Sequence, residues 1–198
     1  MPMRNRHRLV LLAAYLIAAS AAPTARAQWY HRVEDGIMGT RIGVELWADD
    51  PATAGRAIDA VLGEMRRIDE LMSTYKPTSE LSQVNAHAAS HPVRVSPELF
   101  ELLQTSLQYS LVTEGAFDIT YASVGYLYDF RRHVRPSEQA IEKALPAINF
   151  RHLLLDSEHT SVRFSEPLVR IDLGGIAKGH AVDGAIAILQ SLGIQHAV

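Results

Sequence analysis

The residues best placed to do chemistry lie in "IDLGGIAKGHAVDG", Ile171 to Gly184. Leu168, Val169, Ile171 and Leu173 read as a buried strand, Gly174 and Gly175 follow it, and Lys178 stands where a helical pattern begins. The glycine pair permits positive φ and close backbone approach. A turn of this kind exposes amide N–H groups. Together with the positive end of the helix dipole and a mobile ammonium, those amides attract phosphate, so the predicted ligand is anionic. A tight turn that holds nothing is the competing reading. Asp172, just before the glycines, is a candidate to accept hydrogen bonds from a ligand or to help bind a cation, or else it caps the turn. Two familiar phosphate motifs are excluded by spacing: Lys178 precedes Gly179 and is followed by His180, unlike a Walker loop, and G-G-x-x-x-G is not the dinucleotide fingerprint G-x-G-x-x-G.

Two further segments leave the ends of predicted helices. "ELMSTYKPTSELSQVN" (Glu70 to Asn85) reads as a polar loop that carries Tyr75, and "EGAFDIT" (Glu114 to Thr120) exits through Gly115. Loops held by rigid helices often carry binding groups. Tyr75 suits a flat ring, and the backbone and carboxylate of Ala116, Phe117 and Asp118 suit polar edges. Taken singly they also read as a rim aromatic, a core plug and a turn former. His87 and His91 are four apart but sit in polar "NAHAASHP" with no third ligand. Arg131 and Arg132 read as a solvated face, and the aromatic "YASVGYLYDF" as either core or the border of a ring site.

These groups need a scaffold of mixed elements. Ile37 to Ala48 alternates like a half-buried strand, and Ala54 to Met72 carries a three-four apolar stripe. A second helix is capped by Ser96, with Pro97 in its first turn, and stops at Gly115; a shorter one starts after Pro136 with Ser137 as its cap. Strands are predicted at His152–Leu155, Ser161–Phe164 and Leu168–Leu173. The last helix spans about His180 to Leu192 with Gly193 as its stop, and "IQHAV" begins another strand.

Composition bounds the function. The 198 residues are 47% hydrophobic and 21% charged, an ordinary globular balance that suits one domain. Arg4, Arg6 and Arg8 precede the apolar run "LVLLAAYLIAASAA", and "TARA" before Gln28 supplies a small-residue cleavage site, so residues 1–27 read as a secretory signal peptide. The run falls short of the roughly 20 residues a bilayer span needs, so no stable membrane span is expected after cleavage. Removing residues 1–27 takes away four arginines and no acid, which moves the formal net charge from −3 to −7. A surface of that sign without a basic stripe excludes nucleic acid as a partner. The absence of cysteine excludes disulfides, thiolate chemistry and a lipid-modified cysteine at the signal junction.

In combination, "IMGT" (Ile37 to Thr40), "LMSTYKPTSELSQVN" (Leu71 to Asn85), "GAFDIT" (Gly115 to Thr120) and "IDLGGIAKGHAVD" (Ile171 to Asp183) resemble the ApbE family of FAD:protein FMN transferases, in order from about residue 37 onward. The resemblance implies an α+β, T-fold-like architecture: a mixed or antiparallel sheet with packed helices. Residues 28–198 would form the N-terminal part of the domain and the family's second half would be missing. It implies a periplasmic enzyme that uses FAD and Mg²⁺ and moves FMN to a Thr or Ser hydroxyl of an acceptor flavoprotein, releasing AMP. Carried over by position, FAD contacts fall on Met38, Tyr75, Ala116, Phe117, Asp118, Asp172 and Lys178, and the cation touches the Gly175 carbonyl.

The reaction this implies is in-line attack by the acceptor hydroxyl on the FMN-side phosphorus, where charge neutralisation and alignment dominate. No general base is identifiable in the sequence. Two departures stand out: His180 replaces the family's usual tyrosine, and the aspartate and threonine of the family's cation site have no counterpart. The alternatives are an Mg²⁺-dependent FAD pyrophosphatase giving FMN and AMP, and a noncatalytic FAD-binding fragment.

Overall fold

The computed structural model describes residues 26–129 and 132–198. Residues 1–25 of the expected signal peptide, and Arg131, lie outside them. The architecture is α+β. Strands β1 (Gln28–Ile37) and β2 (Thr40–Ala48) form an antiparallel hairpin in which Trp29 faces Trp47 and Arg32 faces Val44. The predicted strand at 37–48 is therefore split. Met38 and Gly39 make the tip with φ of 51° and 70°, the left-handed pair that a two-residue hairpin turn requires. β1 escapes period-two reading because its inner face is charged: Arg32 and Glu34 pair with Asp59 and Arg66 of the underlying helix rather than meeting apolar side chains.

That helix, α1 (Pro51–Met72), starts three residues before the apolar stripe. Asp50 caps it, accepting from the amides of Ala52 and Thr53 at 2.9 Å each, and Pro51 occupies the first turn. Its buried face, Ala57, Ile58, Val61, Leu62, Met65, Ile68 and Met72, is the centre of the core. The expected polar loop at 70–85 contains a two-turn helix, α2 (Glu80–His87), capped by Ser79 and anchored by Leu81 and Val84, which are fully buried. Two apolar residues in a polar stretch are too few to show a period. Strand β3 (Val93–Arg94) then leads to α3 (Pro97–Val112), capped by Ser96 as expected and closed by Gly115 at φ 88°.

A 3₁₀ turn at Ile119–Tyr121 runs into the short α4 (Ala122–Gly125), and α5 (Glu138–Ala144) is capped by Ser137. Strands β4 (Leu153–Asp156) and β5 (Ser161–Phe164) complete an antiparallel sheet of order β3-β5-β4. The final helix, α6 (Ala177–Ser191), lies on α1 through Ala177, Ala181 and Ala185, and stops at Gly193, φ 76°. After it, the tail lies antiparallel to β2, with Val198 and Glu45 exchanging hydrogen bonds of 2.7 and 2.8 Å. Among the described residues no helix is long and apolar enough to cross a membrane.

The predicted strand at 168–173 is corrected. Val169, Ile171 and Leu173 are buried, as its alternation demands, yet the segment joins no sheet. Side chains replace the ladder. Asn85 donates Nδ2 to the Ile171 carbonyl and accepts from the Ile171 amide with Oδ1, both at 2.8 Å. Ser123 Oγ accepts from the Arg170 amide at 3.0 Å, and the Asp172 amide reaches the Ile119 carbonyl at 3.0 Å.

Candidate functional site

The turn from Asp172 to Lys178 is shaped by contacts its glycines allow. Neither Gly174 nor Gly175 has a positive φ, so the sequence expectation for them is half right: close approach is what they provide. A Cβ on Gly174 would stand 2.8 Å from Asp172 Oδ1, and one on Gly175 would stand 3.3 Å from the Phe117 ring. Asp172 Oδ1 accepts from the Gly174 amide at 2.7 Å and from the Tyr121 hydroxyl at 3.1 Å, while Oδ2 accepts from Thr74 Oγ1 at 3.2 Å. The carboxylate thus caps its own turn and ties three loops together.

The helix start beyond it is partly unsatisfied. The amides of Ile176 and Ala177 reach the Leu173 carbonyl, but those of Gly175, Lys178 and Gly179 meet no carbonyl among the described residues. No side chain caps α6. Lys178 is exposed and forms no ion pair among the described residues. Free donors, a helix N-terminus and a cation at one turn make an anion cradle.

A cavity of about 250 Å³ opens over this turn, lined by Met38 and Gly39 from the hairpin tip, Asp69, Thr74 and Tyr75 from the α1 exit, Tyr121, Asp172 and Lys178. A larger one of about 660 Å³ shares Thr74, Tyr75, Tyr121 and Asp172 with it and continues along Asn85, Tyr126 and Arg170. Tyr121 stands between them. Partial burial, and then the Asp172 carboxylate, push its phenol up to about 12.

Four of the predicted residues, Met38, Tyr75, Asp172 and Lys178, meet at the smaller cavity. Ala116, Phe117 and Asp118 line neither cavity. Their amides and oxygens are largely engaged: the Ala116 and Phe117 amides return to Thr113, Asp118 Oδ1 accepts from Thr120, and Oδ2 accepts from the Phe150 amide at 2.9 Å. Phe117 nevertheless touches the site through Gly175. Among the described residues the Gly175 carbonyl accepts no N–H, which leaves an oxygen beside the cradle. No cluster of three or more His, Asp or Glu able to hold a metal occurs among the described residues.

A charged network holds α6 in place from behind. His180 Nε2 lies 2.8 Å from Glu98 Oε1, Arg67 forks onto both Glu98 oxygens at 2.6 and 2.7 Å, and it also bonds Glu64 at 2.7 and 2.8 Å. Glu64 in turn abuts Gly184 of α6, where a Cβ would stand 3.0 Å from its carboxylate. The Arg67 hydrogen bonds, then His180, draw Glu98 down to about 2. Histidine at 180 thus joins α6 to α1 and α3.

The sequence profile described as the ApbE family matches residues 38–198. The chain belongs to the ApbE family. A FAD:protein FMN transferase of Vibrio cholerae serotype O1 is 30% identical over 200 residues, 96% of this chain and 57% of that protein. Another from Klebsiella pneumoniae is 30% identical over 149 residues, 74% of this chain and 46% of that one. Among solved structures, the ApbE protein of Thermotoga maritima superposes with a TM-score of 0.74 at 29% identity, covering 83% of this chain and 53% of that one. The flavin transferase ApbE of Vibrio cholerae gives 0.74 at 28%, covering 86% and 56%. The chain spans about half the length of the curated relatives it matches.

Sequence reasoning missed several groups of this ApbE site. Thr74 and Tyr121 hold Asp172, and Asn85 and Ser123 hold the segment that carries it. Tyr121 and Ser123 lie in the aromatic stretch read as core or ring border. Nothing in their local spacing indicates a partner some fifty residues away.

Proposed function

We propose that this chain binds FAD and serves the Mg²⁺-dependent transfer of FMN from it to a Thr or Ser hydroxyl of an acceptor protein, with AMP as the leaving group. One observation carries the reading: the cradle of free amides and Lys178 opens into the same cavity as Met38, Tyr75 and Asp172, and all of them fall within the family match. The relatives' names supply the reaction, and the leader-like residues 1–27 support an exported, periplasmic protein.

The residues present do one part of this chemistry. Lys178 and the start of α6 hold the diphosphate and offset charge that grows on its oxygens as the P–O bond to AMP breaks. Asp172 fixes the turn, so that the cradle is formed before the ligand arrives. The oxygen donors fit a hard cation held mainly through substrate phosphates, with the Gly175 carbonyl as the protein ligand. When bound, Mg²⁺ would neutralise phosphate charge. The acceptor hydroxyl forms the new P–O bond to FMN and releases its proton.

The test is incubation of the chain with FAD, Mg²⁺ and an acceptor flavoprotein domain, followed by denaturing gel fluorescence and nucleotide chromatography. Acceptor-bound FMN with equal AMP is expected, and Lys178→Ala should lower FAD affinity about tenfold or more, the loss of a charge-assisted contact. Unlabelled acceptor would refute transfer. AMP and free FMN without acceptor would indicate hydrolysis by water at the same phosphorus.

A further inference from the structure

His87 and His91 stand four apart in the sequence, and the structure sets both on one helical turn. His87 ends α2, and the His91 amide returns to the His87 carbonyl at 3.1 Å, so the chain keeps its helical course for a turn beyond the helix. That turn is pinned to the core. Ala88, between the two histidines, is fully buried, and its carbonyl accepts from the Phe164 amide of β5 at 2.8 Å. Both imidazoles are exposed, with ring centres 5.6 Å apart and planes inclined by 31°.

Ser90 sets the tautomer of one ring. Its hydroxyl donates its single hydrogen to the His87 carbonyl at 2.8 Å, so toward His91 Nδ1, 3.0 Å away, it acts as acceptor. Nδ1 of His91 therefore carries the hydrogen and Nε2 keeps a free lone pair. Three other histidines are engaged: His152 with Ser165 and the Pro146 carbonyl, His159 with Asp156, and His180 with Glu98. Neither ring nitrogen of His87, nor Nε2 of His91, meets a hydrogen-bond partner among the described residues.

We propose that His87 and His91 chelate a divalent transition metal that favours imidazole, Zn²⁺, Ni²⁺ or Cu²⁺, at an open site whose other positions water fills. Nitrogen ligands select these ions over Mg²⁺. The spacing fits: a metal about 2.1 Å from each nitrogen lies roughly 3.2 Å from each ring centre, which sets the centres about 5.2–5.5 Å apart at near-tetrahedral angles. Histidine χ2 is a broad torsion, so ring rotation alone aims both lone pairs into the gap. A hydrogen bond on the second ring nitrogen fixes tautomer and orientation in metal-binding histidines, and Ser90 supplies it for His91. The pair shares no residue with either cavity, so its test is independent of the transfer reaction.

Calorimetric titration of the whole, untagged chain with Zn²⁺ and Ni²⁺ tests this. Both positions are exposed, so His87→Ala and His91→Ala leave the fold intact, and circular dichroism checks it. Each should weaken binding about tenfold or more, and the double variant should lose no more than either alone, because a single imidazole does not chelate. Ser90→Ala should weaken binding about tenfold through the lost orienting bond, and His159→Ala should leave it unchanged. Zn²⁺ should also raise the Tm of the native chain and not that of the double variant, since the paired turn exists only in the folded state. Native affinity in both single variants would overturn the proposal. So would loss of binding in His159→Ala with the pair intact, or a native chain that takes up neither ion.

Discussion

Asn85→Ala is the sharpest test of how the site is built. Among the described residues the Asn85 side-chain amide is the sole cross-partner of the Ile171 peptide group, and Ile171 is fully buried. Truncation leaves one N–H and one C=O without partners. Each such group costs about 1–3 kcal/mol, and because Asn85 lines the larger cavity, its truncation lets water approach the freed groups and the lower part of that range applies, about 2–4 kcal/mol in all. For a domain of this size that is roughly a 5–15 °C fall in Tm. Thermal unfolding followed at 222 nm measures it, with urea titration to check that the m-value is unchanged. Asn85→Asp sharpens the test. Its carboxylate accepts from the Ile171 amide but opposes the Ile171 carbonyl, so at neutral pH it should lose nearly as much as alanine, and protonation should recover part of the loss relative to the native chain. A Tm drop below about 2 °C for the alanine variant would refute the claim that one side chain stands in for a missing strand.

Two further outcomes follow from the geometry. Glu98 is drawn down to about 2 from an ordinary value of 4.5, so its contribution to stability is present above about pH 4.5 and is lost as pH falls toward 2. Partial exposure limits that contribution to about 1–2 kcal/mol; urea unfolding of Glu98→Gln at pH 7 and pH 3 should show a smaller pH dependence than the native chain, and an equal one would sink the network. Gly174→Ala places a methyl 2.8 Å from Asp172 Oδ1, so the carboxylate must leave the Gly174 amide and Tyr121. FAD affinity should fall about tenfold with only a modest Tm change, and calorimetry showing native affinity would mean that the cradle does not depend on Asp172.

Legibility in the sequence tracked how local the governing interaction is. Ser96, Ser137 and Gly193 mark helix ends through contacts within four residues, and each behaves as its type dictates. The turn from Asp172 to Lys178 was visible for the same reason: its glycines and its cap act within a few residues. β1 was hidden because its inward residues are Arg32 and Glu34, matched by charges on α1, and charge complementarity has no period to read. The stretch 168–173 shows the opposite failure: its apolar alternation is real, but the same alternation serves whether a neighbouring strand or Asn85 and Ser123 satisfy the backbone. His180 was noticed as a departure, while its partner Glu98, 82 residues away, was not.

Helix α6 meets α1 through alanines at 177, 181 and 185, and through Gly184 against Glu64. Side chains this short let α6 pack close on the larger residues of α1, and a close-packed seam leaves little room to enlarge one of them. Enlarging any of those alanines would tilt the rod and carry the Lys178 ammonium at its tip away from the turn at Asp172. Remote packing changes along this seam should therefore register as altered nucleotide affinity before they register as unfolding, which makes the seam a lever arm.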